Sequence, residues 1–144
     1  MKSTVNVKTV KNTGRQDILL SSTRIPFGAA STATHPNQVV ISAAGVHPVL
    51  QLPAAAVVLR GYLSVTDATS AGVTVALGTV GSPASLLAAT AADAVATTAI
   101  TPFAAPLTAT TEYVATVVGV PVAVGEAYLV VEYFIQGKSE YVQG

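Results

Sequence analysis

Residues 53–79, PAAAVVLRGYLSVTDATSAGVTVALGT, alternate in polarity on both sides of an Asp-Ala-Thr-Ser-Ala-Gly turn. Val57, Leu59, Leu63 and Val65 fall on one face of the first run, and Arg60, Tyr62 and Ser64 on the other. After the turn, Val73, Val75 and Leu77 alternate with Thr74, Ala76 and Gly78. A period of two over so few residues is the mark of a half-buried β-strand, because successive side chains point to opposite faces. The rest of the chain continues in the same grammar.

Residues 38–43 form a first candidate strand, ended by Gly45. Residues 46–52 are broken by Pro48, which confines them to a sheet edge or an irregular segment. After 57–65 and 73–79, the Gly81-Ser82-Pro83 turn leads into SLLAATAAD at 85–93. There Leu and Ala favour helix and the neighbours favour strand, so both stay open. Residues 96–103, 110–118 and 128–136 complete the set. Seven or eight short strands with turn signals every eight to twelve residues predict an all-β, antiparallel β-sandwich or barrel. The chain divides into a basic N-terminal arm and loop (1–37), a sandwich body (38–136) and a polar tail (137–144).

Charge separates arm from body. Lys2, Lys8, Lys11, Arg15 and Arg24 stand against Asp17 alone in residues 1–24, a net of +4, and the remaining residues carry −4. These five cations are the candidate docking residues of the arm, with a loose, solvated tail as the other reading. Val5, Val7 and Val10 alternate with polar residues and would suit an added edge strand. Charged residues are only 10% of the chain against a usual ~25%, and hydrophobic residues are 51%. Such a surface is expected to be covered by other protein chains.

Reactive chemistry is sparse. The chain has no cysteine, which removes disulfides, thiolate metal sites and thiol nucleophiles. His35 and His47 each precede a proline with no carboxylate close in sequence, and read as loop residues, not metal ligands. Asp67 and Asp93 read as turn and loop residues, not a hydrolytic pair. Phosphate-binding glycine loops and nucleophile elbows are absent. The expectation is a protein that is not an enzyme, with no cofactor, no metal and no small-molecule substrate. The cations lie in an arm without an aromatic before Phe27, which argues against nucleic acid. The first twenty residues contain no continuous apolar run of a secretory signal. Residues 113–131 are split by Pro121 and Gly125-Glu126 into pieces too short for a spanning helix, so no membrane is expected.

The last strand is apolar on both faces. Tyr128, Val130 and Phe134 share one, and Leu129, Val131 and Tyr133 the other. Val117 and Val118 load both faces of the strand before it. Either these strands are central in a sandwich or an outer face meets another subunit. Subunit contact is favoured, with Val117, Tyr128, Val130 and Phe134 as candidate oligomer-interface residues.

The ordered set AAAVVLRGYLSVTDATSAGVTVALGTVGSPASLLAAT, followed by GEAYLVVEYFIQG, resembles capsid-associated structural proteins of tailed bacteriophages. The matching positions are Pro53, Val57, Val58, Tyr62, Leu63, Val65, Thr66, Leu77, Gly78, Leu86, Val131, Glu132 and Tyr133, within 53–136. The chain departs from that pattern at GSPASLL, where relatives carry an acidic turn, so no ion site is carried over. The resemblance implies a cement or decoration protein with a β-sandwich or jelly-roll fold. It further implies a homo-oligomer, a trimer above all, seated on the major capsid protein at the virion surface after assembly in the host cytoplasm. A receptor- or glycan-binding module of a fibre or tail is the alternative, weakened by the absence of Trp.

Overall fold

The structure, a computed structural model, describes residues 18–28, 37–103, 105–121 and 123–137. Eight strands follow one another along them. They are β1 (Leu19–Phe27), β2 (Gly45–Leu52), β3 (Ala56–Asp67), β4 (Thr74–Thr79), β5 (Ser82–Ala91), β6 (Ala96–Ala99), β7 (Thr111–Val118) and β8 (Gly125–Ile135). The period-two pattern explains them. On β8, Ala127, Leu129 and Val131 are buried while Tyr128, Val130 and Glu132 are only partly covered. On β7, Tyr113, Ala115 and Val117 point into the core.

The pairings between named strands are all antiparallel, in two four-stranded sheets of order β1-β8-β3-β6 and β2-β7-β4-β5. Four of the pairs are β1–β8, β2–β7, β3–β6 and β4–β5, so the chain folds back on itself as one long hairpin. Rolling that hairpin brings β8 beside β3 and β7 beside β4, which is the jelly roll. The expected antiparallel sandwich is therefore present, in its jelly-roll form.

The inner faces of both sheets supply one core, with Phe27, Ile25, Leu52, Leu63, Leu77 and Leu129 among its fully buried side chains. Fully burying a side chain of this size stabilises by roughly 1.5–3 kcal/mol. Thr23, also buried, donates its hydroxyl to the Val49 carbonyl at 2.8 Å and so links β1 to β2.

Several sequence expectations are refined. The strands flanking 68–73 lie in opposite sheets, so that turn carries the chain across the sandwich. A bulge between Val58 and Arg60 on β3 shifts the register against β8. One extra residue reverses which side chains face inward. Val58, Leu63 and Val65 consequently line the core, while Leu59, expected beside them, is 38% exposed. Residues 85–93, open between helix and strand, are mostly strand β5. Pro48 sits on the edge strand β2 at a register shift, as its missing N–H requires.

The sandwich also begins earlier than 38. Strand β1 lies within the segment assigned to arm and loop and pairs with β8 along its whole length. Pro26 belongs to this strand because its nitrogen faces away from β8. Its carbonyl accepts from Ile41 N–H on the outer side, where Arg24 also bonds to Asn37 and Val39. Residues 38–43 are thus no ladder strand; bridges from Gln38 and Ile41 to β1 close that edge.

Candidate interaction surfaces

The outward residues of β8 form the middle of the first sheet's outer face, and register fixes their neighbours. Glu132 lies between Leu20 and Arg60, Val130 between Ser22 and Tyr62, and Tyr128 between Arg24 and Ser64. Phe134 stands opposite Val57. Three predicted interface residues, Tyr128, Val130 and Phe134, therefore share one surface. Leu20, 64% exposed, and Tyr62, 42% exposed, extend it. A depression of about 570 Å³ lies there, bordered by Leu20, Arg60, Tyr62, Val130 and Glu132. A shallower one follows between Val57, Leu59, Phe103 and Phe134.

The fourth predicted interface residue is placed elsewhere. Val117 is 2% exposed and packs in the core, and the outward position on β7 is Val118, 62% exposed. Sequence alternation assigns the two valines to opposite faces without saying which is inside. The answer is set by Val117 lying opposite Val75 of β4, itself fully buried.

Arg24 and Arg60, the two cations among the described residues, both lie on this outer face in cross-strand ion pairs. Arg60 pairs with Glu132, and Arg24 with Glu126, the latter through Nε at 2.6 Å. Arg24, expected to dock with the arm, is thus engaged within its own sheet. The other arm cations, Lys2, Lys8, Lys11 and Arg15, lie outside the described residues, as does His35. His47 on β2 bonds to the Ala43 carbonyl through Nε2 at 2.9 Å. Asp93 accepts from the Gly72 N–H at 2.6 Å and so ties two loops together, as a loop carboxylate does.

Partial burial pushes the Glu126 carboxyl upward, but hydrogen bonds from Arg24 and Tyr128 and the Arg24 charge outweigh it and hold the carboxyl below the usual range. A carboxyl depressed in the folded state contributes stability above its unfolded pKa, and that contribution is lost as pH falls through the folded value. Acid titration of thermal stability is expected to show a decline below the ordinary glutamate range that Glu126→Gln makes shallower. The difference should be small, because Glu126 is partly exposed and water screens the pair. Identical acid profiles for the two proteins would contradict this assignment.

Among the described residues no group of three potential metal ligands comes together, and no helix is long and apolar enough to cross a membrane. The outer face offers exposed apolar area and paired charge.

No protein-family model matches the chain, and no curated protein sequence matches it. Solved structures do. A chain of the cyanophage Pam1 capsid asymmetric unit superposes with a TM-score of 0.63 at 20% identity, over 93% of this chain and 97% of that one. This jelly roll is a fold found in bacteriophage capsids. A chain of the Ralstonia phage GP4 capsid gives 0.54 at 20% identity, over 94% of each. One from the acidic stable capsid of Helicobacter pylori bacteriophage KHP30 gives 0.58 at 16%, over 90% of this chain and all of that one. At these identities the likeness is one of fold. The three matched chains are covered almost end to end, so each is itself a chain of about this size.

Proposed function

We propose that the chain is a phage capsid decoration, or cement, protein that binds the outside of the assembled head and bridges neighbouring major capsid subunits. The observation that carries this reading is the end-to-end likeness to chains of similar size in three phage capsids. The motif resemblance over 53–136 and the neutralised, apolar sheet face support it. Its role is structural and non-catalytic, and its place is the virion surface.

In this reading, copies associate through the outer face of β1-β8-β3-β6, as a trimer. With Arg24 and Arg60 both paired, this face carries no net charge to oppose association around a three-fold axis, and Tyr62, Val130 and Phe134 provide apolar contact. The basic residues of the N-terminal segment add screened contacts to the shell, each worth about 0–1 kcal/mol and effective through repetition around the oligomer.

Sedimentation at micromolar concentration is expected to find a closed oligomer, and Val130→Asp with Phe134→Asp should shift it to monomer with the fold retained. Purified protein should also bind decoration-free heads of the phage that encodes it. A monomeric wild type would remove the self-association element, and no binding to heads would remove the cement role. The glycan-binding alternative has one observation in its favour: the depression at Gly61 sets the exposed Tyr62 beside Arg60 and Glu132. A chain that ignores heads but binds oligosaccharide, and loses it with Tyr62→Ala, would select that function.

A further inference from the structure

Antiparallel order places the connections β1–β2, β3–β4, β5–β6 and β7–β8 at one end of the sandwich. This end carries a cluster of exposed valines. Val95, on the β5–β6 connection, is 68% exposed; Val120 and Val124, between β7 and β8, are each 59%. Val118 at the end of β7 and Val46 near the start of β2 add to them. Exposed alanines fill the tips between, at Ala44, Ala71, Ala94 and Ala123. Single exposed apolar residues are ordinary, but several on adjoining loops mark a contact surface.

The loops are built to hold these side chains outward. Thr69, buried, bonds through its N–H to the Ala92 carbonyl at 3.0 Å and through its hydroxyl to the Ala123 carbonyl at 3.0 Å. Ala123 N–H donates to Ser70 Oγ at 2.7 Å, and Gly72 N–H to Asp93. Three connections are thereby cross-tied. Such a surface binds at low ordering cost, because its loops are already fixed.

The chemistry of the end narrows its occupant. Among the described residues it holds no lysine, no arginine beyond the paired Arg24 and no Trp or Tyr at the loop tips, and its border carries Asp67 and Asp93. Membrane-seating surfaces use cations and interfacial aromatics, and these carboxylates would oppose an anionic bilayer. A second copy docked end to end would set the same carboxylates against each other. What fits is a different protein surface: small apolar side chains bordered by lysine or arginine.

We infer that this valine-tipped end is the surface by which the protein seats on the capsid shell. The assignment rests on the cement reading and adds where the contact lies. Strand β1 starts at Leu19 opposite Tyr133, at the end of the sandwich away from the valine loops. The apolar contact of this valine end and the charge contacts of the basic N-terminal segment are separable by salt. Charge contacts are screened over about 3 Å at 1 M, whereas apolar contact persists.

The test uses full-length protein and decoration-free heads at low and at 1 M salt. The variant joins Val95→Thr, Val118→Thr, Val120→Thr and Val124→Thr, near-isosteric changes that retain strand preference. Wild type should keep measurable binding at 1 M salt, and the variant should bind about a hundredfold more weakly there with its oligomeric state unchanged. Amide exchange of the wild type should slow at 92–95, 118–120 and 123–124 on binding heads. Equal binding by variant and wild type, or no slowing at these amides, would overturn the assignment alone. A wild type that fails to bind at any salt would overturn the cement reading and this assignment with it. Wild type that instead sediments with anionic phospholipid vesicles would identify the end as a membrane contact.

Discussion

Deleting residues 1–24 is expected to unfold the protein, whereas deleting 1–17 should leave it folded. The difference lies in β1. Removing 19–24 strips six of the nine β1–β8 pairs, the buried hydrogen bond from Thr23 to Val49 and the Arg24–Glu126 pair. It also leaves Ile25 and Phe27, both fully buried, on a stub too short to hold them in place. Losing a buried aromatic side chain alone costs about 3–5 kcal/mol, against a total stability of about 5–15 kcal/mol for a domain. Circular dichroism and thermal melting of the two truncations would decide it. A cooperative transition in the 1–24 deletion, near that of the full chain, would show that β1 is dispensable.

A single methyl group at position 61 is expected to have a comparable effect. Gly61 faces Val131 across β3 and β8, and a Cβ there would collide with the Val130 carbonyl. It would also lie 2.8 Å from Ile100 Cδ1 and 3.0 Å from Val131 Cα. Ile100 has rotamers to use, but the β8 backbone does not, so Gly61→Ala must separate the two central strands of its sheet. Such overpacking costs about 1–3 kcal/mol and more where backbone has to move. Gly81→Ala is the matched control, since its Cβ would meet nothing within 4 Å and its backbone needs no left-handed conformation. Denaturant midpoints should fall sharply for the first and stay unchanged for the second. Equal midpoints would mean that β3 and β8 tolerate a wider spacing.

Much of the fold was legible in the alternation of small and β-branched residues. The inward set on β8, Ala127, Leu129 and Val131, follows directly from period two. Alternation does not reveal an inserted residue, however, and the bulge at Val58/Arg60 places Leu59 outside where a regular strand would bury it. Strand β1 was hidden for another reason. Its inward residues Thr23, Ile25 and Phe27 span only five positions, and Pro26 among them reads as loop until one knows which edge it faces. The candidate surface was visible at Tyr128, Val130 and Phe134, which one strand brings together. Leu20 and Tyr62 join them only through pairings across more than sixty residues of sequence. The valine loops escaped because each contributes one or two ordinary residues, and only topology gathers them.

The nested pairing of the jelly roll sets a timetable for synthesis. Only β4 and β5 meet across a short turn; every other pair waits for a strand made much later. The residue paired with Leu19 is Tyr133, 114 positions downstream, which at about 5–20 residues per second is a delay of roughly 6–23 s. Strand β8 lies between β1 and β3 and is the last of the eight strands to be made, so β1 has no partner strand in its sheet until then. Nascent chains stalled before Gly125 would hold β1 and β3 with their apolar faces unpaired. The first sheet therefore closes last, and a ribosome that stops short of β8 releases a chain whose β1 and β3 are not joined.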